Sequence, residues 1–226
     1  MPEALLVEWY RGLPHFKTGD DPDLWAGRMH KALRSFRRRI RLRYTEGTLQ
    51  RMLDNPSAEV RRAVVLALGL AGTIQSNAAL ARVLHDSDEL TARTASDSLW
   101  EIWFRGGPDE ANAELQRILH LQEGIKMLEG LTAFVREHPD FAEAWNQRAI
   151  LWFQNSEYQR SIADCQRALQ LNPHHFGAQA GMGECYLKMR KFNAALRAFK
   201  LALEMNPTLD HLTATIEALQ NAVDDS

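Results

Sequence analysis

Apolar residues recur along almost the whole chain at helical spacing, and no stretch alternates as a half-buried strand would. Between Leu24 and Tyr44, the residues Leu24, Trp25, Met29, Leu33, Phe36, Ile40 and Leu42 form one apolar stripe. Asp21-Pro22-Asp23 starts that helix, with a capping acid before a proline in the first turn. A shorter helix precedes it, followed by the irregular stretch GLPHFKTGDDP. TAFVREH comes nearest to a strand, yet with the leucine before it and the proline after it the segment fits a helix end. Glycine and proline fall between the periodic segments, where breakers belong.

Two longer periods lie over this pattern. Pro139, Pro173 and Pro207 are 34 residues apart. The same offset carries Ala144 to Ala178, Ala149 to Gly183, Trp152 to Tyr186, Tyr158 to Phe192, Ser161 to Ala195, Ala168 to Ala202 and Asn172 to Asn206. Upstream the offset is 31: it carries Leu49 to Leu80, Arg51 to Arg82, Leu53 to Leu84, Asn55 to Asp86, Arg62 to Arg93 and Leu68 to Leu99. Gly106-Gly107-Pro108 separates the two regimes. Fixed periods of this length mark stacked helical hairpins, each burying its apolar flank on its neighbour. The expected fold is all-α, an alpha-alpha superhelix or helical repeat solenoid. Three segments are expected: a helical cap at 1–44, short repeats at 45–107, and longer repeats at 108–226 ending in a capping helix at 210–222. Within the last segment, 142–172 and 176–206 read as well-formed repeats and 109–138 as a degenerate helix pair.

The segment AEAWNQRAILWFQNSEYQRSIADCQRALQLNP resembles a tetratricopeptide repeat, through Trp145, Ala149, Trp152, Ser161, Ala168 and Pro173. The next repeat supplies Gln179, Gly183, Tyr186, Ala195, Ala202 and Pro207, and Arg148 and Gln179 depart from the usual apolar character. NPSAEVRRAVVLALGLAG resembles the short HEAT-like repeat of phycobilisome lyase-type proteins, through Val60-Arg61-Arg62, Ala63 and Ala67-Leu68-Gly69. The combination looks like a bacterial repeat protein. The resemblance implies binding of a protein or peptide on the concave face, which helix A of each repeat lines. The residues expected there are Asn146, Ile150, Phe153 and Gln154, with Glu184, Leu187 and Lys188 one repeat on. Relatives that clamp a C-terminal carboxylate carry basic and amide residues where this chain has Glu143, Gln147, Gly177 and Gly181. Reception of a chaperone tail is therefore not expected.

Charge adds one further candidate. The chain is close to neutral at −2, but residues 26–45 hold eight arginines and lysines and no acid. Arg34, Arg37, Arg38 and Arg41 form a candidate anion-binding set, with nucleic acid as the alternative partner. The competing reading is a solvated face whose arginines pair with acids elsewhere in the fold. The remaining chemistry is sparse. His174 and His175 read as a solvent-facing turn, and Cys165 and Cys185 as buried thiols. Trp100, Trp103 and Phe104 read as core filling where the two repeat types meet. No residue spacing matches a metal site, a phosphate loop or a nucleophile elbow, so no metal, cofactor or catalytic residue is implied. A lyase-like activity stands as a third alternative, on the HEAT-like resemblance alone. MPEALLVEWYRG has acids and early breakers unlike a secretory signal, and no apolar run has spanning length. The expectation is a cytoplasmic, non-enzymatic scaffold.

Overall fold

The computed structural model describes residues 2–224. Every regular element among them is helical, in the order α1 (Pro2–Arg11), α2 (Pro22–Arg43), α3 (Glu46–Met52), α4 (Ala58–Ala71), α5 (Asn77–Val83), α6 (Glu89–Trp103), α7 (Asp109–Leu119), α8 (Gly124–Glu137), α9 (Ala142–Gln154), α10 (Tyr158–Leu171), α11 (Phe176–Lys188), α12 (Phe192–Met205) and α13 (His211–Asp224). The chain is an all-α helical repeat solenoid. It divides into two compact units, residues 1–102 and 103–226.

In the first unit α1, α2 and α3 each pack on α4. Helix α2 begins where its sequence signals it: Asp21 Oδ1 accepts the backbone N–H groups of Asp23 and Leu24 at 3.0 and 2.9 Å. Phe36 and Ile40 are buried, but Leu24 and Leu42 are 70% and 79% exposed, so the apolar stripe is narrower than its sequence suggests. The reason is angular. Leu42 lies two residues past Ile40, about 200° around the helix, and points away from the core.

Helices α4 and α6 approach closely at Gly69. A Cβ there would meet Ser98 Oγ at 2.4 Å, and the Ser98 hydroxyl donates to the Val65 carbonyl at 3.1 Å. The loop before α6 is fixed by two arginine forks. Arg61 grips Asp86 at 2.6 and 2.7 Å, and Arg62 grips Asp88. Asp88 also accepts the N–H of Thr91 at 2.9 Å, which caps α6.

The second unit stacks α7/α8, α9/α10 and α11/α12 as successive hairpins. Within α9/α10 the crossing is made by small residues, as the sequence predicts. Ala149, Ser161 and Ala168 are buried, and the Ser161 hydroxyl donates to the Ala149 carbonyl at 2.8 Å. At Gly183 in α11 the space of a side chain is taken by Phe199, 2.6 Å from where a Cβ would lie. Leu212 and Leu219 of α13 pack with Leu196 and Phe199 of α12, so the last helix covers the apolar flank the final repeat would otherwise leave open.

A candidate interaction face on helices α9 and α11

The residues expected on the inner face fall on the first helices of two adjacent repeats, and α9 and α11 contact each other directly. On α9, Ile150 is 41% exposed, Phe153 is half-buried and Gln154 is exposed. On α11, Glu184 and Leu187 are half-buried and Lys188 is exposed. The 34-residue offset pairs Ile150 with Glu184, Phe153 with Leu187 and Gln154 with Lys188. Each helix therefore offers the same row of positions, and the two rows lie on neighbouring helices. Of these side chains Ile150, Phe153 and Leu187 are apolar and Gln154, Glu184 and Lys188 polar, and Leu187 also packs partly against the cluster formed by α12 and α13. The Phe153 ring packs against Tyr158 at 5.7 Å between centroids.

Asn146 lies beneath this face rather than on it. It is 3% exposed, and its amide donates to Glu143 Oε1 at 3.2 Å. Glu143 is itself buried and also accepts from the amide of Gln147 and from His175 Nε2 at 2.8 Å. The Ala178 N–H donates to His175 Nδ1 at 3.1 Å, so Nε2 carries the imidazole proton. The ring stacks on Trp103, with centroids 4.2 Å apart, and Trp103 also packs on Phe176. The structure thus corrects the sequence reading of the His174-His175 pair. His174 is exposed, but His175 has 0% exposure and ties the start of α9 to the start of α11.

Arg148 and Gln179, the two departures from the expected repeat pattern, also have local explanations. Arg148 forks onto Asp164 with both bonds at 2.7 Å and lies over the Trp145 ring. Gln179 donates to the Ala198 carbonyl at 3.2 Å. Both are polar clasps between the two helices of a single repeat.

The thiols have no setting for nucleophilic chemistry. Cys165 and Cys185 are free and buried, and burial pushes the Cys165 thiol up to about 12. One grouping of metal-ligand type occurs among the described residues: Glu114, Glu137 and His138 each bring a ligand atom to within 4.8 Å of the others. His138 Nε2 is 3.9 Å from Glu114 Oε2, the geometry of a loose ion pair at a partly exposed helix end.

On α2, Arg34, Arg38 and Arg41 are exposed and Arg37 is half-buried. Together with Leu42 the four line an open cleft of about 380 Å³. No described helix is long and apolar enough to cross a membrane.

Comparison with known proteins places these features. Models of the tetratricopeptide repeat match residues 142–175 and 177–209, and a model of HEAT repeats matches residues 29–122. A TPR repeat-containing protein of Rhizobium etli is 36% identical over 69 residues, which is 30% of this chain and 34% of that one. Human Superkiller complex protein 3 is 30% identical over 34% of this chain and 5% of its own length. The bovine Protein SGT1 homolog is 32% identical over 45% of this chain and 30% of its own. The chain thus spans about a third or less of each of these relatives. Among solved structures, the complex of the yeast Sti1 TPR2AB domain with pHSP90 aligns over 96% of this chain and 95% of that one, at 13% identity and a TM-score of 0.42. The chain carries HEAT repeats over residues 29–122 and two tetratricopeptide repeats between residues 142 and 209.

Proposed function

We propose that this chain is a non-enzymatic scaffold that holds a peptide or protein segment on the concave face of its repeats, against the solvent-facing rows of α9 and α11. The observation that carries the reading is the equivalence of the two rows. Ile150, Phe153 and Gln154 occupy the positions that Glu184, Leu187 and Lys188 hold on the adjacent helix, while Ala149, Leu151, Gly183 and Cys185 beside them are buried. A surface of apolar and polar side chains on neighbouring helices suits a bound helix or extended segment, anchored by a few side chains and aligned by hydrogen bonds. Tetratricopeptide repeats in other proteins serve this purpose, and one of the relatives is named for a complex. The burial of both cysteines speaks for a structural role of the thiols.

The reading is tested by substitution. Phe153→Ala with Leu187→Ala removes the anchors, and Glu184→Lys with Lys188→Glu inverts the two charges. Each pair is expected to weaken a captured partner by at least tenfold, since one truncated anchor costs on the order of 1–2 kcal/mol. If every captured partner binds both double variants as it binds the unaltered chain, the face is not the site.

A further inference from the structure

Unit one carries a second surface of a different kind. Five of its thirteen arginines are paired with acids: Arg11 with Glu59, Arg28 with Asp20, Arg61 with Asp86, Arg62 with Asp88 and Arg93 with Glu89. Arg39 lies over the Trp9 ring at 5.6 Å. Arg34, Arg38 and Arg41 differ. They are exposed, and none forms an ion pair or hydrogen bond with another described residue. On a helix these positions fall within about 60° of arc, and Lys31 joins them one turn earlier, so the row runs for about 15 Å. No acid occurs between Leu24 and Thr45 to interrupt it.

We propose that this row is a docking surface for double-stranded nucleic acid, gripped through its phosphodiester backbone without reading base sequence. Charge complementarity selects the ligand class. A guanidinium fork matches phosphate oxygens bidentately, and a duplex presents one negative charge per ~1.7 Å of axis, so a row of this length faces several phosphates at once. Three features separate this ligand from the other occupants of a basic surface. A basic helix that lies in a membrane inserts its apolar face, but Phe36 and Ile40 of α2 are buried in the protein core. A protein interface is organised around an apolar centre, but here Leu42 is the one apolar residue of the cleft. Single strands are held by stacking on aromatic rings, and the row contains none.

The test is anisotropy of a labelled 20-base-pair duplex, titrated with the full chain at rising salt. Three phosphate contacts give a slope of about −2.7 in log K against log salt, roughly a 40-fold loss between 50 and 200 mM. Each of Arg34→Gln, Arg38→Gln and Arg41→Gln is expected to lower the slope by about one, and the triple variant to abolish binding. A control with the same change in net charge, Arg82→Gln, Lys191→Gln and Arg197→Gln, is expected to retain most of the affinity. Glutamine has nearly the helix propensity of arginine, so α2 is preserved, which circular dichroism verifies. The proposal fails if the duplex does not bind at low salt, or if the control loses as much as the triple variant. It also fails if anionic phosphatidylserine vesicles or poly-glutamate bind the row and the duplex does not displace them.

Discussion

At Ser156 and Arg190 the backbone turns left-handed, with φ of 62° and 57°. Each lies two positions past the last residue of a repeat's first helix, and the two are 34 positions apart. Their neighbours close the turn in the same way: Glu157 N–H donates to the Trp152 carbonyl at 2.8 Å and Lys191 N–H to the Tyr186 carbonyl at 2.9 Å. Glycine is the usual occupant of such a position, because a Cβ costs roughly 1–2 kcal/mol there. Arg190→Gly is therefore expected to stabilise the chain by about 1 kcal/mol net, after glycine's larger unfolded-state entropy is set against the relief. A urea midpoint measures it, and a lower midpoint would mean the turn carries no such strain. Nothing in NSEY or RKFN announces this geometry, since neither contains glycine. The Glu143–His175 tie was equally hidden. The 34-residue offset carries Glu143 to Gly177 and His175 to Leu209, so the pair does not recur. A repeat pattern displays what is repeated, and a contact made once falls outside it.

At the scale of elements, helix existence was legible and helix facing was less so. Capping acids, breakers and the small-residue positions locate most helices and their crossings. They do not show that Leu24 and Leu42 face outward, because an apolar residue at a helix margin satisfies the periodic pattern without entering the core. The 31-residue offset paired Asn55 with Asp86, but the structural partner of Asp86 is Arg61, whose guanidinium also donates to the Asn55 carbonyl at 2.9 Å. The side chains cross the repeat boundary where the sequence shows only alignment. This crossing has a pH signature. Hydrogen bonds from Arg61 and Arg62 hold the Asp86 and Asp88 carboxyls below the ordinary carboxylate range. Their folded-state affinity for protons is lower than in the unfolded chain. The stabilisation is thus complete above about pH 4, the unfolded value, and is lost as pH falls through that value and below. Denaturation midpoints between pH 5 and 3 are expected to fall less steeply in Asp86→Asn with Asp88→Asn than in the unaltered chain. Equal steepness would assign the acid sensitivity to other groups.

Over the whole molecule, two repeat types divide the chain, and each presents a different chemistry. The helix-only architecture and the 34-residue period were readable because each hairpin must bury the same flank against the next, which forces the same residues back at the same spacing. For the rows on α9 and α11 the sequence offered only the positions left over once packing positions are assigned, and that elimination misplaced Asn146, which is 3% exposed. The arginine row on α2 was visible as composition, but its freedom from internal acids became apparent only with the folded partners in place. The central claim is that the α9 and α11 rows receive a partner segment, and site-specific photo-crosslinking in the source organism tests it most directly. A photoreactive residue at position 153 or 187 is predicted to trap the same partner, whereas one at the exposed positions Ala163 or Arg197 on α10 and α12 traps none. Equal trapping from all four positions, or trapping from Ala163 and Arg197 alone, would contradict the account.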